Sequence, residues 1–144
     1  MAELAFHTGL TDKLGYTCRL LRKAYRQGAK VQVRGDGELL SRLDPLLWTF
    51  EQLEFVPHLR LRAGQKIDPE LARTPIWLVD DAAQAPEASV LVNLGPLPAD
   101  DVARFERVVE LVGVDADERQ AGRLRWRYYE SLGLKPVHIN PTTT

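Results

Sequence analysis

The sequence has few of the residues that build disulfide frameworks or membrane spans. Its 144 residues include a single cysteine, Cys18, so an internal disulfide is excluded, as is typical of a reducing compartment. The N-terminus has an early acidic residue and no basic segment, which is not the pattern of a secretion signal. No apolar run approaches the roughly 18 residues that a membrane helix needs. We therefore expect a soluble cytoplasmic domain with no membrane partner.

The chain also lacks an excess of charge of either sign, because 19 basic and 20 acidic residues give a formal net charge of -1. Such a chain is not a general polyanion binder, so any affinity for nucleic acid or acidic peptide must come from a local surface. Its length fits one domain with a sizeable core. We predict a single domain over residues 1–139 and a flexible tail over 140–144, the segment "NPTTT".

Strand-like and helix-like segments alternate along the chain. Apolar residues recur at helical spacing over 11–26, whereas "KVQVR", "PIWLVD" and "SVLVNLG" are typical of buried strands. This alternation predicts a three-layer α/β/α sandwich with a mostly parallel sheet. The connection between the last two of these strands is shorter than the roughly dozen residues of a parallel crossover. Those strands are therefore antiparallel or not adjacent, and we expect a mixed sheet.

Motifs for nucleotide or metal binding are incomplete. The segment "VRGDGELL" follows a strand and begins a helix, as a dinucleotide fingerprint does, but Leu40 stands where the third glycine belongs. A tight turn explains both glycines, and the phosphate-loop pattern GxxxxGK[ST] is absent. The histidines and the cysteine have no pair at metal-ligand spacing: His7, His58, His138 and Cys18. We therefore predict neither a metal nor a cofactor.

An α/β enzyme is an alternative interpretation that rests on three residues. His58 in "FVPH" has the chemistry of a catalytic base, and Asp80 and Asp81 follow a strand, where metal-dependent enzymes place carboxylates. A structural histidine and solvated loop carboxylates explain the same residues without an active site. Because no complete enzyme signature is present, we predict a non-catalytic protein.

The segment "RLRWRYYESLGL" belongs to a helix near the C-terminus. Asp115 is predicted to cap its start, with Glu118 as the return partner of a capping box, and Gly133 to end it. At 100° per residue, one face carries Arg119, Arg123, Trp126, Arg127 and Glu130. The opposite face, predicted to lie against the core, carries Ala121, Leu124, Tyr128 and Leu132.

The basic face with its tryptophan has three interpretations. Single-stranded nucleic acid fits through stacking and phosphate contacts. A peptide with acidic residues and an apolar terminus fits equally, its carboxylate held by arginine and its side chain against Trp126. The third interpretation is a solvated helix on which Trp126 lies across its neighbours. The balanced net charge and the nearby acidic residues Asp115, Asp117 and Glu118 favour a short ligand over a long polyanion.

A second candidate surface lies in "LDPLLWTFEQLEFVPHL", where large apolar residues crowd a helix end and a loop. They are Leu46, Leu47, Trp48, Phe50, Leu53 and Phe55. Some of these must belong to the core. A connecting segment does not easily bury all of them, so the remainder either completes the core or forms an exposed patch for a partner.

Six segments in one order, which are "LLRKAYRQGAKVQVR", "LDPLLWTF", "FVPH", "VLVNLG", "FERVVELVG" and "AGRLRWRYYESLGL", resemble the chi subunit family of bacterial DNA polymerase III. The resemblance covers essentially the whole chain. It implies a non-catalytic accessory subunit, associated with the clamp loader, that binds the acidic C-terminal tail of single-stranded-DNA-binding protein (SSB). That tail ends in proline-phenylalanine. The resemblance also implies a nucleotide-binding-like α/β fold without a phosphate loop, and contact with single-stranded DNA mainly through SSB. A direct single-stranded DNA-binding protein is the alternative.

The resemblance also implies which residues hold the tail. By position they are Arg119, Arg123, Trp126 and Arg127, with Val112 as a pocket wall. Trp126 and Arg127 stand where the family often has tyrosine and lysine, and both differences keep an aromatic ring and a cation. A second interface, to clamp-loader subunits and a psi-like subunit in particular, maps onto Trp48 and Phe55.

Overall fold

A seven-stranded sheet carries helices on both of its faces in this computed structural model, which describes residues 3–51, 55–80 and 83–141. The strands are β1 (Glu3–Leu10), β2 (Val31–Arg34), β3 (His58–Leu61), β4 (Ile76–Val79), β5 (Val90–Asn93), β6 (Arg107–Gly113) and β7 (Val137–Ile139). The helices are α1 (Lys13–Arg26), α2 (Gly37–Thr49) and α3 (Ala116–Ser131), and two short 3-10 turns lie at Pro69–Leu71 and Val102–Arg104.

The strand order is β3-β4-β2-β5-β6-β1-β7, and every ladder between the described strands is parallel. The predicted mixed sheet is therefore wrong, although the α/β class is confirmed. Strands β4 and β5 are not neighbours, because β2 lies between them and pairs with both. The connection from the end of β4 to the start of β5 therefore runs back past β2, where the side-chain amide of Gln32 donates to the Pro86 carbonyl oxygen at 3.1 Å. Strand β7 was not predicted.

Alternation along β6 separates the two hydrophobic cores. Val109 and Leu111 point to one face, where they pack with apolar residues of α1 and α2. Val108 and Val112 point to the other face, where they pack with residues of β1 and α3, including Phe6. Since side chains of a strand alternate between the faces of a sheet, helices on both sides are required to cover β6. This arrangement confirms the predicted three layers.

The ends of α3 are largely those that the sequence predicts. The Asp115 side chain accepts a hydrogen bond from the backbone N–H of Glu118 at 2.9 Å, and Gly133 has a φ of 81°, which favours glycine. The predicted return bond of the capping box is wrong. The Glu118 carboxylate instead accepts from the backbone N–H of Gly113 at 2.9 Å and from Lys13 at 2.6 Å, because the end of β6 and α1 lie within its reach.

The predicted core side of α3 is wrong. Leu124 and Leu132 are more than half exposed, and the residues that face the sheet are Gly122, Arg125 and Tyr129. The reason is that Glu110 of β6 is a buried carboxylate and pairs with Arg125, which is therefore buried as well. The inner face of α3 thus carries a charged residue and cannot be identified by hydrophobicity.

No helix among the described residues is long and apolar enough to cross a membrane. Residues 142–144, most of the predicted flexible tail, lie outside the described part of the chain.

Candidate functional site

A cleft of about 680 Å³ lies between α3 and the β1–β7 edge of the sheet. Its lining residues come from β1, β6, α3 and β7, and they are Phe6, Thr8, Gly9, Val112, Arg119, Gly122, Arg123, Trp126, Arg127, Glu130 and His138. All five residues that the sequence nominates for tail binding line this one cleft. The helical face predicted from 100° spacing is therefore also the face that borders it.

A close approach between α3 and β6 forms the floor of the cleft. A Cβ atom at Gly122 would lie 2.9 Å from Cγ2 of Val112, so only glycine allows this helix to lie so near the strand. The Trp126 ring packs against Phe6 of β1, with 5.1 Å between ring centroids and 56° between planes. Trp126 is thus half-buried, with an inner side fixed by the core and an outer side available to a ligand.

The wall opposite α3 was not predicted from the sequence. It consists of Thr8 and Gly9 at the end of β1 and of His138 in β7. Nε2 of His138 and the hydroxyl of Thr8 are 2.5 Å apart, which joins the two strands at the edge of the cleft. Only the alternating pattern of "AELAFHT" gave a signal for this wall, because β7 is three residues long and follows a proline.

Three exposed guanidiniums give the cleft its charge. Arg119, Arg123 and Arg127 form no ion pair with any residue that the structure describes. The acidic residues at the start of α3 form no ion pair with them among the described residues. Asp115 caps the helix, Glu118 pairs with Lys13, and Asp117 has no ion pair there. Burial lowers the pKa of the Lys13 ammonium, and its hydrogen bond to Glu118 opposes that shift. Glu130 is the acidic side chain among the residues lining the cleft.

A buried polar network fixes α3 to the sheet beneath this surface. Nε of Arg125 donates to the Glu110 carboxylate at 2.7 Å, and the two side chains are 1% and 0% exposed. The hydroxyl of Tyr129 donates to the same carboxylate and accepts from the backbone N–H of Ala99. Burial, with the Glu110 charge, raises the pKa of the Tyr129 hydroxyl far above its ordinary value, so this hydroxyl stays protonated. The amide of Asn93 also donates to Glu110, at 2.9 Å.

The second nominated surface lies at the opposite edge of the sheet, beside β3. Trp48 is 45% exposed and Phe55 is 62% exposed, and their rings stack with centroids 4.9 Å apart. Trp48 also lies on the ring of His58, at 4.1 Å. Residues 52–54, which include Leu53, are outside the described part of the chain. Five strand spacings of about 4.8 Å separate β3 from β1, so the two surfaces lie about 24 Å apart across the sheet.

The residues behind the enzyme interpretation have structural contacts. Nδ1 of the buried His58 lies 2.8 Å from the Val56 carbonyl oxygen, and its Nε2 lies 2.9 Å from Oδ1 of Asp44. Asp80 pairs with Arg60 at 2.7 Å, and Asp81 lies outside the described residues. Within the described ranges, no three His, Cys, Asp or Glu side chains are grouped as a metal site would require.

Solved structures share this fold at low sequence identity. The C-terminal domain of the DEAD-box protein Dbp5 superimposes with a TM-score of 0.65 over 97% of this chain and 90% of that one, at 12% identity. The C-terminal part of the Fun30 ATPase domain gives a TM-score of 0.58 over 78% of this chain and 44% of that one, at 18% identity. At these identities the likeness concerns the α/β fold alone.

Sequence comparison gives a narrower result. The family profile described as "DNA polymerase III chi subunit, HolC" matches residues 1–137. The DNA polymerase III subunit chi of Pseudomonas aeruginosa is 34% identical over 122 residues, which are 84% of this chain and 81% of that protein. A probable DNA polymerase III subunit chi of Rickettsia prowazekii is 33% identical over 110 residues, which are 76% of this chain and 62% of that protein. With a family match over almost all of its length, this chain belongs to the chi subunit family of DNA polymerase III.

Proposed function

We propose that this chi subunit, a replication accessory subunit of DNA polymerase III, binds the acidic C-terminal tail of SSB in the cleft between α3 and the β1–β7 edge. The observation that carries the proposal is the convergence of three unpaired guanidiniums and a half-buried tryptophan around one concave surface. Arg123 clamps the terminal carboxylate, and Trp126 with Val112 receives the apolar terminal side chain. Arg119 and Arg127 attract the acidic residues that precede it.

The shape of the cleft supports a peptide terminus over an extended DNA strand at this site. A strand needs successive aromatic platforms along a basic groove. The cleft offers one tryptophan, whose inner side packs on Phe6. Its volume of about 680 Å³ is within the range of pockets that enclose a few residues. Single-stranded DNA is therefore reached mainly through SSB.

Replacing Arg123 with methionine tests this proposal directly. The methionine keeps an unbranched apolar stem and removes the charge, so we expect a loss of about 1.5–3 kcal/mol of binding free energy, or roughly tenfold to 150-fold in Kd. Fluorescence anisotropy with a labelled SSB tail peptide measures the change. Binding should also weaken as salt is raised, because the charges are exposed.

A second titration uses the same peptide without its terminal phenylalanine. This shortened peptide keeps the acidic residues and loses the apolar contact. Wild-type protein should bind this shortened peptide far more weakly than the full tail. Equal affinity for both peptides, or unchanged affinity of Arg123→Met for the full tail, would contradict the proposed clamp. A labelled oligonucleotide bound in place of the peptide would favour the direct DNA-binding alternative.

We propose in addition that the exposed stack of Trp48 and Phe55 is the docking surface for the clamp loader, through a psi-like subunit. Two large aromatic rings in contact with each other and open to solvent are typical of interface anchors. Their position across the sheet from the cleft leaves both surfaces accessible in one molecule. Such an arrangement is suited to holding SSB and the polymerase holoenzyme together.

Trp48→Ala should weaken clamp-loader binding by more than about 1 kcal/mol, or at least roughly fivefold, because a stacked aromatic anchor is lost. Isothermal titration calorimetry of the full chain with purified clamp-loader assembly measures this, and the SSB tail peptide serves as the internal control. Tail binding should not change, since the cleft is on the other side of the sheet. A loss of both interactions would indicate general unfolding, and a loss of neither would place docking elsewhere.

A further inference from the structure

Helix α1 concentrates positive charge on the side of the sheet opposite to the cleft. Its 14 residues contain five basic side chains and no acidic one: Lys13, Arg19, Arg22, Lys23 and Arg26. Because the whole chain carries a net charge of -1, the remainder of the molecule is net negative. Helix α1 is therefore a positively charged region on a protein that is otherwise net negative. A positively charged region of this kind is what binding of a polyanion requires.

Four of these residues form one stripe along the helix, which we call the α1 stripe: Arg19, Arg22, Lys23 and Arg26. Their spacing of i, i+3, i+4 and i+7 places them within an arc of about 100° on the solvent side. The inner side of α1 is marked by the buried residues Leu14, Thr17, Cys18 and Leu21. From Arg19 to Arg26 the stripe rises about 10 Å along the axis, which is about three times the roughly 3.4 Å rise per phosphate of a stacked nucleic-acid strand.

The stripe is only partly neutralised by the protein itself. Arg22 pairs with Glu51 at 3.3 Å and lies over the ring of Phe50. Arg19 and Lys23 are exposed and form no ion pair or hydrogen bond within residues 3–51, 55–80 and 83–141. Asp12, which precedes the helix, is its N-cap and accepts from the backbone N–H of Gly15, and Glu118 pairs with Lys13. At least two cations therefore have no partner in the described structure.

An exposed aromatic ring lies beside the stripe. Tyr25 is 38% exposed and follows Arg22 by three residues, which places both on neighbouring lines of the same helix. Guanidiniums next to a solvent-facing ring suit a single strand, whose phosphates contact the cations while an unpaired base stacks on the ring. An acidic peptide would use the same cations, so the SSB tail peptide is titrated against the α1 variants as well.

We propose that the α1 stripe, with Tyr25, is a contact site for the sugar-phosphate backbone of single-stranded DNA. It lies on the α1–α2 side of the sheet, whereas the cleft lies on the α3 side, so it goes beyond the proposed tail-binding function. The contact is weak and independent of sequence, because it uses phosphates and one stacking surface. It would let the subunit touch the strand on one side while its cleft holds a protein tail on the other.

Charge reversal of the two unpaired cations tests the site in the full chain. Arg19→Glu/Lys23→Glu should weaken binding of a fluorescent oligothymidine roughly fiftyfold at about 50 mM salt, because counterion release from two phosphates is lost. The slope of log K against log salt should fall by about 1.4, which is the contribution of two single-strand phosphates. Tyr25→Ala should weaken binding of the same probe without changing that slope.

The matched control is Lys66→Glu/Arg73→Glu, which changes the net charge by the same amount at two exposed residues between β3 and β4. This control should bind oligothymidine as wild type does, and the Arg19→Glu/Lys23→Glu variant should bind the SSB tail peptide as wild type does.

Absence of oligothymidine binding by wild type would overturn the proposal, as would an equal loss in the control. A loss in Arg123→Glu instead would assign DNA to α3. If the α1 variant lost the peptide and kept the oligothymidine, α1 would be a peptide site. An unaffected Tyr25→Ala would exclude a stacked single strand as the occupant.

Discussion

Replacement of Arg125 with methionine should lower the free energy of unfolding by about 3–5 kcal/mol, whereas Arg123→Met, two residues earlier on the same helix, should change it by less than about 0.5 kcal/mol. The two arginines flank Leu124 in the sequence and have opposite environments. Arg125 is 1% exposed and paired with Glu110, whereas Arg123 is exposed and borders the cleft.

The physical cause is the charge that Arg125→Met leaves behind. Glu110 is fully buried, and without the guanidinium the partners of its carboxylate among the described residues are the neutral donors Tyr129 and Asn93. Methionine fills much of the volume but donates no hydrogen bond, so the carbonyl oxygen of Leu111 also loses its contact with Arg125. An uncompensated buried charge is among the largest single-residue penalties in a folded protein.

Urea denaturation followed by circular dichroism measures the difference between the two variants. A double variant, Glu110→Leu/Arg125→Met, removes both charges and should recover part of the stability that Arg125→Met alone loses. Equal stability of Arg125→Met and Arg123→Met would show that the Glu110–Arg125 pair contributes little. A double variant that is less stable than Arg125→Met would instead assign the cost to lost hydrogen bonds of Tyr129 and Asn93.

Helix α3 also shows where sequence reasoning succeeds and where it fails. The basic face around Arg123 and Trp126 follows from 100° spacing alone, because helical geometry fixes which residues share a face. The residues of the inner face cannot be predicted in this way, because they depend on which side chains of the neighbouring strand β6 point toward the helix. Glu110 occupies an inward position of β6, and nothing local in "RLRWRYYESLGL" indicates that the middle arginine of the segment pairs with it.

The sheet gives a similar contrast. Segments rich in β-branched residues, such as "PIWLVD", predict their own strands because burial on both faces leaves a continuous apolar run. Strand order is a non-local property, so the insertion of β2 between β4 and β5 could not be predicted from a short connection. Strand β7 could not be predicted for a different reason. It has three exposed residues, and it is held by its ladder with β1 and by the contact between His138 and Thr8.

The consequence for the cleft is that one of its two walls was foreseeable. Residues of α3 and Val112 were nominated from the sequence, whereas Thr8, Gly9 and His138 enter only through the pairing of β1 with β7. A wall built from a sheet edge gives the cleft its concave shape. Without that wall, the basic face of α3 would be an open helix surface, and the solvated-helix interpretation would explain it equally well.

Trp126→Ala should weaken binding of the SSB tail peptide by about 2–4 kcal/mol, or roughly 30-fold to 1,000-fold, whereas Trp126→Tyr should keep most of the affinity. The indole is the largest side chain among the residues that line the cleft, and its packing on Phe6 holds it in place before a ligand binds. Because the ring is already held in place, little conformational entropy is lost on binding. Its removal should therefore cost nearly the full binding free energy of its contact with the peptide. Tyrosine keeps a ring at the same site and therefore separates loss of the platform from loss of the indole itself.

Because Trp126 also packs against the core, stability must be measured beside affinity. Trp126→Ala removes a ring contact with Phe6 and should lower the free energy of unfolding by about 1–3 kcal/mol, so the titration is performed well below the unfolding midpoint. A variant that is fully folded by circular dichroism and still binds the peptide as wild type does would contradict the role of Trp126 as platform. Loss of binding in both Trp126→Ala and Trp126→Tyr would mean that the peptide requires the indole N–H or the full area of the indole. The contact would then be specific to tryptophan, and an aromatic ring alone would not explain it.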